Sequence, residues 1–173
     1  MRLTLSSPEP NHQAKRQRIG AETERRFVAL LEASELAGLG VLRKRPTAVV
    51  VRAGKPRFTG TAGCDFSGHL RGGRAAYVEL KHVDVPRLSL DMLRPSQRAE
   101  LARAHADGAL AAVAVFVGPL VRGDLCVLPW RVVAEHIEAG DASVPRAVLE
   151  VWRVPATTPV LAAPWAEASP WAR

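Results

Sequence analysis

The segment from Cys64 to His82 reads CDFSGHLRGGRAAYVELKH, and the rest of the architecture can be worked out from the hairpin that it predicts. Two apolar-leaning runs flank the Gly72-Gly73 pair, and glycines between strand-like runs indicate a tight turn because they accept positive φ. Asp65 and Glu79 are equidistant from Gly72 along the chain. If the hairpin closes there without a bulge, the two carboxylates face each other, with β-carbons about 5 Å apart.

The second strand of this hairpin adds an ammonium group to the two acids. Side chains two apart share a face, so Glu79 and Lys81 point one way and Val78 and Leu80 the other. Carboxylate oxygens suit Mg²⁺, which takes one or two protein carboxylates and keeps several waters, and a nearby lysine can stabilise charge on a reacting phosphate. The pattern favours metal-assisted phosphodiester hydrolysis. A solvated strand face with a cross-strand ion pair gives the same alternation.

Composition and charge indicate the number of domains, the cellular setting and the kind of partner. A chain of 173 residues with two cysteines fits one domain without a disulfide or zinc framework, which favours a cytoplasmic setting. The longest wholly apolar run, residues 109–117, is too short to cross a bilayer, so we expect no membrane partner. Residues 1–105 hold 19 Lys and Arg against 10 Asp and Glu, whereas residues 106–173 hold 5 against 7. This uneven charge predicts a polyanionic partner, although charge alone does not choose between DNA, RNA and acidic lipid.

Three regions follow from the pattern along the chain. Residues 1–19 have no periodicity and predict a flexible basic arm. Residues 20–155 predict the folded domain, with an α/β order of elements around a central mixed sheet flanked by helices. Residues 156–173, rich in Pro, Ala and Trp, predict an extended tail that docks through its tryptophans.

The first helix is expected from Ala21 and is predicted to end at Gly38. Glu24 falls on its core-facing stripe and is therefore either close to the helix end in solvent or aimed at a site. The apolar members of the stripe are Phe27, Val28, Leu31 and Leu36.

Basic residues cluster between the first strand and the hairpin. Residues 48–52 and 57–61 predict a β-ribbon whose basic tip can enter a nucleic-acid groove, with a solvated turn as the alternative. The predicted DNA-binding residues of this region are Lys44, Arg45, Arg52, Lys55 and Arg57.

A second helix is predicted to begin at Pro95, which suits a first turn, and to end at Gly108. Gln97 shares a face with Leu101 and Ala104, so it points toward the sheet and could reach the water shell of a metal ion. A surface capping glutamine is the alternative. Residues 109–117, uninterrupted and apolar, predict a central strand covered on both faces.

These blocks, in this order, resemble the RecU-type Holliday junction resolvases of the restriction-endonuclease-like, PD-(D/E)XK nuclease superfamily. The resemblance covers roughly residues 20–130. The blocks that carry it are Gly20-x-x-x-Glu24, Lys44-Arg45-Pro46-Thr47, Asp65-Phe66-Ser67-Gly68, Glu79-Leu80-Lys81 and Ser96-Gln97.

The resemblance implies a homodimeric, Mg²⁺-dependent endonuclease, with Mn²⁺ as a substitute, that nicks opposed strands of four-way DNA junctions during recombination and repair. It implies that Asp65, Glu79 and Gln97 surround the metal, that Lys81 supports the transition state, and that Glu24 is a further catalytic acid. It further implies a restriction-endonuclease-like fold, branched DNA and recombination proteins as partners, and a cytoplasmic, nucleoid-associated setting.

Two departures from the family pattern bear on these expectations. Gly63 stands where the family has a metal-holding threonine, and the protruding stalk is reduced to residues 48–64. Lys81 is notable because the chain uses Arg 20 times and Lys only 4. Guanidinium does not exchange protons near neutral pH, so a site that needs a pliable ammonium favours Lys.

Two other functions remain open at this point. One is a nuclease of the same fold that acts on other DNA structures, and the other is a non-catalytic DNA-binding accessory of recombination.

Overall fold

The computed structural model describes residues 12–46, 49–52, 55–58, 63–119 and 122–167. The helices are α1 (His12–Leu36), α2 (Pro95–Ala106), α3 (Trp130–Glu138), α4 (Arg146–Val151) and α5 (Pro164–Glu167). The strands are β1 (Gly40–Lys44), β2 (Val49–Arg52), β3 (Lys55–Phe58), β4 (Phe66–Leu70), β5 (Ala75–Val83), β6 (Leu88–Ser89), β7 (Leu110–Val117), β8 (Asp124–Pro129) and β9 (Ser143–Val144). Short 3₁₀ turns lie at Leu90–Met92 and Val160–Ala162.

The centre of the molecule is a five-stranded mixed sheet in the order β1-β4-β5-β7-β8. Neighbours in this sheet run antiparallel except β5 and β7, which are parallel. That parallel pair is joined through α2, because a parallel connection needs a crossover long enough to hold a helix. The predicted α/β class, a central mixed sheet flanked by helices, is confirmed.

Apolar side chains cover both faces of the sheet. Strand β7 is buried along nearly its whole length, as its uninterrupted apolar sequence predicts. On one face, Phe27 and Leu31 of α1 and Trp165 of the C-terminal segment pack with Phe66 and Val78 of the sheet. On the other face, Leu101 of α2 and Val133 of α3 pack with Leu93 and with Val113 and Leu128 of the sheet.

Helix α1 ends before Gly38 as predicted, with φ of 68° at that glycine, but it differs from the prediction in where it begins and in which residues it buries. It begins at His12, well before Ala21, so the second half of the predicted basic arm is helical. Leu36, predicted on the buried stripe, is 91% exposed. The buried positions follow the helical period through Thr23, Phe27, Leu31 and Ser34. Ser34 closes the series by donating to Leu30 O and accepting from Leu161 N, so the stripe has rotated past Leu36.

The predicted extended tail is largely folded. Residues 160–162 form a 3₁₀ turn, and α5 follows directly. Val160 and Leu161 are buried against α1, Trp165 is buried in the same core cluster, and its indole donates to Val160 O at 2.7 Å. Trp165 is thus part of the core, and residues 160–167 are not extended. Trp171 lies outside the described residues.

The predicted β-ribbon is present as the antiparallel pair β2–β3, in which Arg52 is opposite Lys55. It forms a separate two-stranded sheet. Within the part of the chain that the structure covers, no helix is both long and apolar enough to cross a bilayer.

Candidate active site

Asp65 and Glu79 meet where β4 begins beside β5. The register pairs Phe66 with Val78, and its next step places Asp65 opposite Glu79. Gly72 and Gly73 make the turn with φ of 88° and 87°, a region that glycine enters without strain. Asp65 is half-buried, and its Oδ2 accepts from the Leu80 amide at 3.0 Å. The equal spacing about Gly72 is therefore reproduced in the structure, and the two acids lie side by side.

Glu79 is fully buried and carries one unpartnered oxygen. Its Oε1 accepts from Lys81 Nζ at 2.6 Å and from Gln97 Nε2. Its Oε2 is buried and has no hydrogen-bond partner. Burial and the charge of Asp65 raise the pKa of Glu79 to about 7, against the opposing pull of Lys81 and Arg94. A cation beside Oε2 would stabilise the ionised form of this buried carboxylate.

Gln97 both caps α2 and points toward the sheet, where it contacts Glu79. The first turn of α2 begins at Pro95, and Gln97 Oε1 accepts from the Arg94 amide at 2.9 Å, which caps the helix. Its Nε2 donates to Glu79, and the side chain is buried. The surface position considered for it is therefore wrong. Gln97 orients Glu79 directly, and its own carbonyl oxygen is already used by the cap.

Glu24, on α1, shares a cleft with Asp65 and Lys81, whereas the buried Glu79 is not among the residues that line this cleft. A cleft of about 230 Å³ is lined by Glu24, Asp65, Lys81 and His82, among others. Glu24 is half-buried and pairs with Lys44 Nζ at 2.6 Å. Because α1 begins at His12, Glu24 lies well inside the helix rather than at its end. Glu24 therefore lies beside Asp65 and Lys81 and not at a helix terminus in open solvent.

The residues present fit a divalent cation held between two carboxylates. No cluster of three or more His, Cys, Asp and Glu side chains able to hold a metal occurs within the described ranges, so protein carboxylates alone do not complete a shell. The unpartnered Glu79 Oε2 and the adjacent Asp65 nevertheless present like charges that an ion would neutralise. This agrees with Mg²⁺, which keeps much of its water shell.

The predicted DNA-binding residues divide into two groups. Lys44 and Arg45 lie beside the site, where Lys44 pairs with Glu24 and Arg45 pairs with Glu100 at 2.5 Å. The backbones of Arg52, Lys55 and Arg57 belong to the β2–β3 ribbon, and their side chains lie outside the described residues.

Sequence reasoning missed Glu100 and Arg94. Glu100 accepts from the Cys64 amide and pairs with Arg45, beside the first predicted acid. Arg94, at the start of α2, is close enough to lower the pKa of Glu79, against the dominant effect of burial. The signal for Glu100 was its position one helical turn after Gln97. Its partners, however, come from distant parts of the chain.

A second cleft, of about 360 Å³, lies between the start of β5 and α2. Arg74, Tyr77, Glu100 and Arg103 line it, and it contains none of the predicted catalytic acids. Arg74 donates to the carbonyls of Gly108 and Ala109, so its guanidinium has a structural role there.

No protein-family model and no curated protein matches the chain. Among solved structures, the chain is similar to that of Hjc from Archaeoglobus fulgidus, a Holliday junction resolvase from an archaeal hyperthermophile. The sequence identity is 20% and the TM-score is 0.44, over 64% of this chain and 77% of that one. At these values the similarity assigns neither a family nor a substrate to the chain.

Proposed function

We propose that this chain is a Mg²⁺-dependent DNA endonuclease of the RecU resolvase type, which hydrolyses phosphodiester bonds to make paired nicks in four-way junctions. The observation that carries the proposal is the environment of Glu79. A fully buried carboxylate has one oxygen bound by Lys81 and Gln97, the other unpartnered, and a second acid alongside.

Asp65 and Glu79 are the residues that would hold the ion. When bound, Mg²⁺ supplies a Lewis acid for the phosphate and lowers the pKa of an attacking water. Gln97 and Lys81 fix the orientation of Glu79 from two sides. The ammonium of Lys81 also lines the cleft, so it can bind the phosphate oxygen on which charge develops.

Glu24 lines the same cleft and pairs with Lys44 of β1. Their ion pair is partly exposed, with 36% and 50% of the side chains accessible. We propose that this ion pair fixes the Lys44 ammonium where a phosphate group would approach, and that the Glu24 carboxylate partly neutralises the charge of Lys44. We propose a positioning role for Glu24 through Lys44, in addition to the catalytic role that the resemblance implies for it.

DNA is the proposed substrate because the half of the chain that holds the site is strongly basic. Residues 1–105 carry the excess of 19 basic over 10 acidic side chains. A nuclease with one site cuts one strand, so paired nicks require two sites, which a two-fold dimer supplies most simply. We therefore propose a homodimer that acts in the cytoplasm on the nucleoid, together with recombination proteins.

The test is cleavage of end-labelled DNA by the purified chain with Mg²⁺, Mn²⁺ or chelator. A mobile junction, an immobile junction, a flap and a linear duplex are compared at equal concentration. We expect symmetric nicks in the junctions, dependent on the metal. Binding of all four substrates without any cleavage would overturn the proposal.

A nuclease with another DNA preference is the second candidate, and the short ribbon favours it. Strands β2 and β3 span only Val49–Arg52 and Lys55–Phe58, where the resemblance implies a longer protruding stalk. Faster cleavage of the flap or duplex than of the junction would select this candidate. A non-catalytic accessory is selected only if Lys81→Met changes no measurable activity.

A further inference from the structure

Gly63 and Glu100 occupy one space beside Asp65. A β-carbon built on Gly63 would lie 1.7 Å from Glu100 Oε2 and 2.4 Å from Glu100 Cδ. Gly63 is not among the positive-φ glycines, so its backbone conformation is open to other residues. A side chain at position 63 would therefore have to displace the carboxylate of Glu100 from its present position.

We propose that Glu100 is a positioning residue of the active site, which takes the space of the side chain absent at Gly63 and holds the segment that carries Asp65. The structural part of this proposal stands on the contacts of Glu100. Its catalytic consequence rests on the function proposed above.

Glu100 connects Cys64, the residue before Asp65, to Arg45, which follows β1. Its Oε2 accepts from the Cys64 amide at 2.5 Å, and its Oε1 accepts from Arg45 Nη1 at 2.5 Å. The Arg45 amide in turn donates to Asp65 O at 2.8 Å. These contacts close a ring that runs from Asp65 through Arg45 and Glu100 to Cys64. Rotation of the Asp65 backbone would break at least one of them.

Both carboxylate oxygens of Glu100 are used in this ring. Glu100 is therefore placed to hold the backbone beside Asp65. Burial alone would raise the pKa of Glu100, but the hydrogen bonds from Cys64 and Arg45 outweigh it and lower the pKa. Glu100 thus stays ionised at neutral pH, where a charge-assisted bond to an amide is strong.

Helix α2 brings the two positioning side chains to the site together. Gln97 and Glu100 are one helical turn apart, and Leu101 fixes that face of the helix in the core. Gln97 contacts Glu79, whereas Glu100 holds the neighbourhood of Asp65. One helix therefore sets the position of both acids, each through a different hydrogen bond.

The test compares Glu100→Gln and Glu100→Ala with a matched control, Glu35→Gln. Glu35 also pairs with an arginine, Arg43 on β1, but it belongs to α1 and its hydrogen bonds with Arg43 do not involve residues 63–66. Hydrogen exchange of a peptide covering residues 63–66 is measured first. We expect exchange about tenfold faster in Glu100→Ala and unchanged in Glu35→Gln, since only the former frees the Cys64 amide.

The kinetics of junction cleavage then show whether Glu100 positions Asp65 or contributes to DNA binding. We expect kcat to fall about tenfold or more in Glu100→Gln, a higher Mg²⁺ concentration for half-maximal rate, and KM for DNA close to that of the parent. Unchanged exchange at residues 63–66 together with an unchanged Mg²⁺ requirement would overturn the proposal.

The shared space is tested by a double-mutant cycle between Gly63→Ser and Glu100→Ala. We expect Gly63→Ser alone to lower the melting temperature, and to have little effect once Glu100 is alanine. Additive effects would contradict the proposal. If the parent protein nicks no DNA, the function proposed above fails, while the exchange experiment and this cycle still decide the role of Glu100.

Discussion

Replacing Glu79 by Gln should stabilise the metal-free protein at high pH, although it removes a residue of the proposed active site. The pKa of Glu79 is raised to about 7 from 4.5, chiefly by burial and then by Asp65. A group whose pKa is higher in the folded state binds its proton more tightly there. Its contribution to stability is therefore full below pH 4.5 and is lost as the pH rises through 7.

The size of the effect follows from the shift. A difference of about 2.5 pKa units corresponds to about 3 kcal/mol of folding free energy lost by pH 8. Glutamine keeps the shape and can still accept a hydrogen bond from Lys81, but it does not ionise. The melting temperature of Glu79→Gln relative to the parent should therefore rise by roughly 6–12 °C between pH 4 and pH 8 for a chain of this length.

The assay is thermal unfolding in chelator at a series of pH values from 4 to 8. Glu100→Gln is the matched control, because the pKa of Glu100 is lowered by its hydrogen bonds despite burial. The stability that Glu100 contributes is present at neutral pH and is lost as the pH falls through its folded pKa. The two variants should thus diverge from the parent with opposite dependence on pH. Parallel curves for Glu79→Gln and the parent would refute the reasoning.

Metal provides a second arm of the same experiment. At pH 8, Mg²⁺ at about 100 times its dissociation constant should stabilise the parent by about 2.7 kcal/mol, since only the folded site binds it. Glu79→Gln should show little of this stabilisation. A parent protein that does not respond to Mg²⁺ or Mn²⁺ at any pH would contradict the assignment of Asp65 and Glu79 as the groups that hold the ion.

Four further predictions test other parts of the structure. Lys81→Met should reduce junction cleavage about 100-fold while leaving DNA binding nearly intact, and Lys81→Arg should recover only part of the rate, as measured by single-turnover kinetics and filter binding. Gln97→Ala, which removes one of the two donors to Glu79 Oε1 and the acceptor of the Arg94 amide, should lower stability by about 1–3 kcal/mol in urea unfolding. Trp165→Ala should cost about 3–5 kcal/mol in the same assay, because the indole fills the core against α1. Leu36→Ser, on an exposed side chain, should change stability by less than about 0.5 kcal/mol.

The parts of the fold that sequence could predict are those set by local pattern. The Gly72-Gly73 turn fixes the register of β4 and β5, and a one-residue slip would move every side chain to the other face. Pro95 and Gln97 mark the start of α2, because both have a role in a first helical turn. The acid pair and Gln97 were predictable for the same reason, since each lies at a defined step from a turn or a helix start.

The remaining features depend on contacts that no local pattern reveals. The C-terminal segment looks extended from its Pro and Ala content, but Val160 and Trp165 complete the core against α1. Helix α1 extends back to His12 without an apolar stripe to announce it. Glu100 reads as an ordinary helix-surface acid, and its partners Arg45 and Cys64 lie far away in sequence. Departures from a family pattern, such as Gly63, indicate where a compensating residue should be sought.

The position of the two acids in the sheet explains why stability and activity should oppose each other here. Glu79 pairs with Val113 in the centre of the sheet, whereas Asp65 and Arg45 lie one residue outside β4 and β1 and are joined by a backbone hydrogen bond. Asp65 lies at the boundary, whereas Glu79 lies within the core, where its charge is costly in the absence of a cation. Removing that charge should therefore give a more stable and inactive protein, because the proposed function needs a buried charge that lowers the stability of the folded state. A variant at Glu79 that is more stable at pH 8 and still cleaves would separate the two properties and show that the charge serves another purpose.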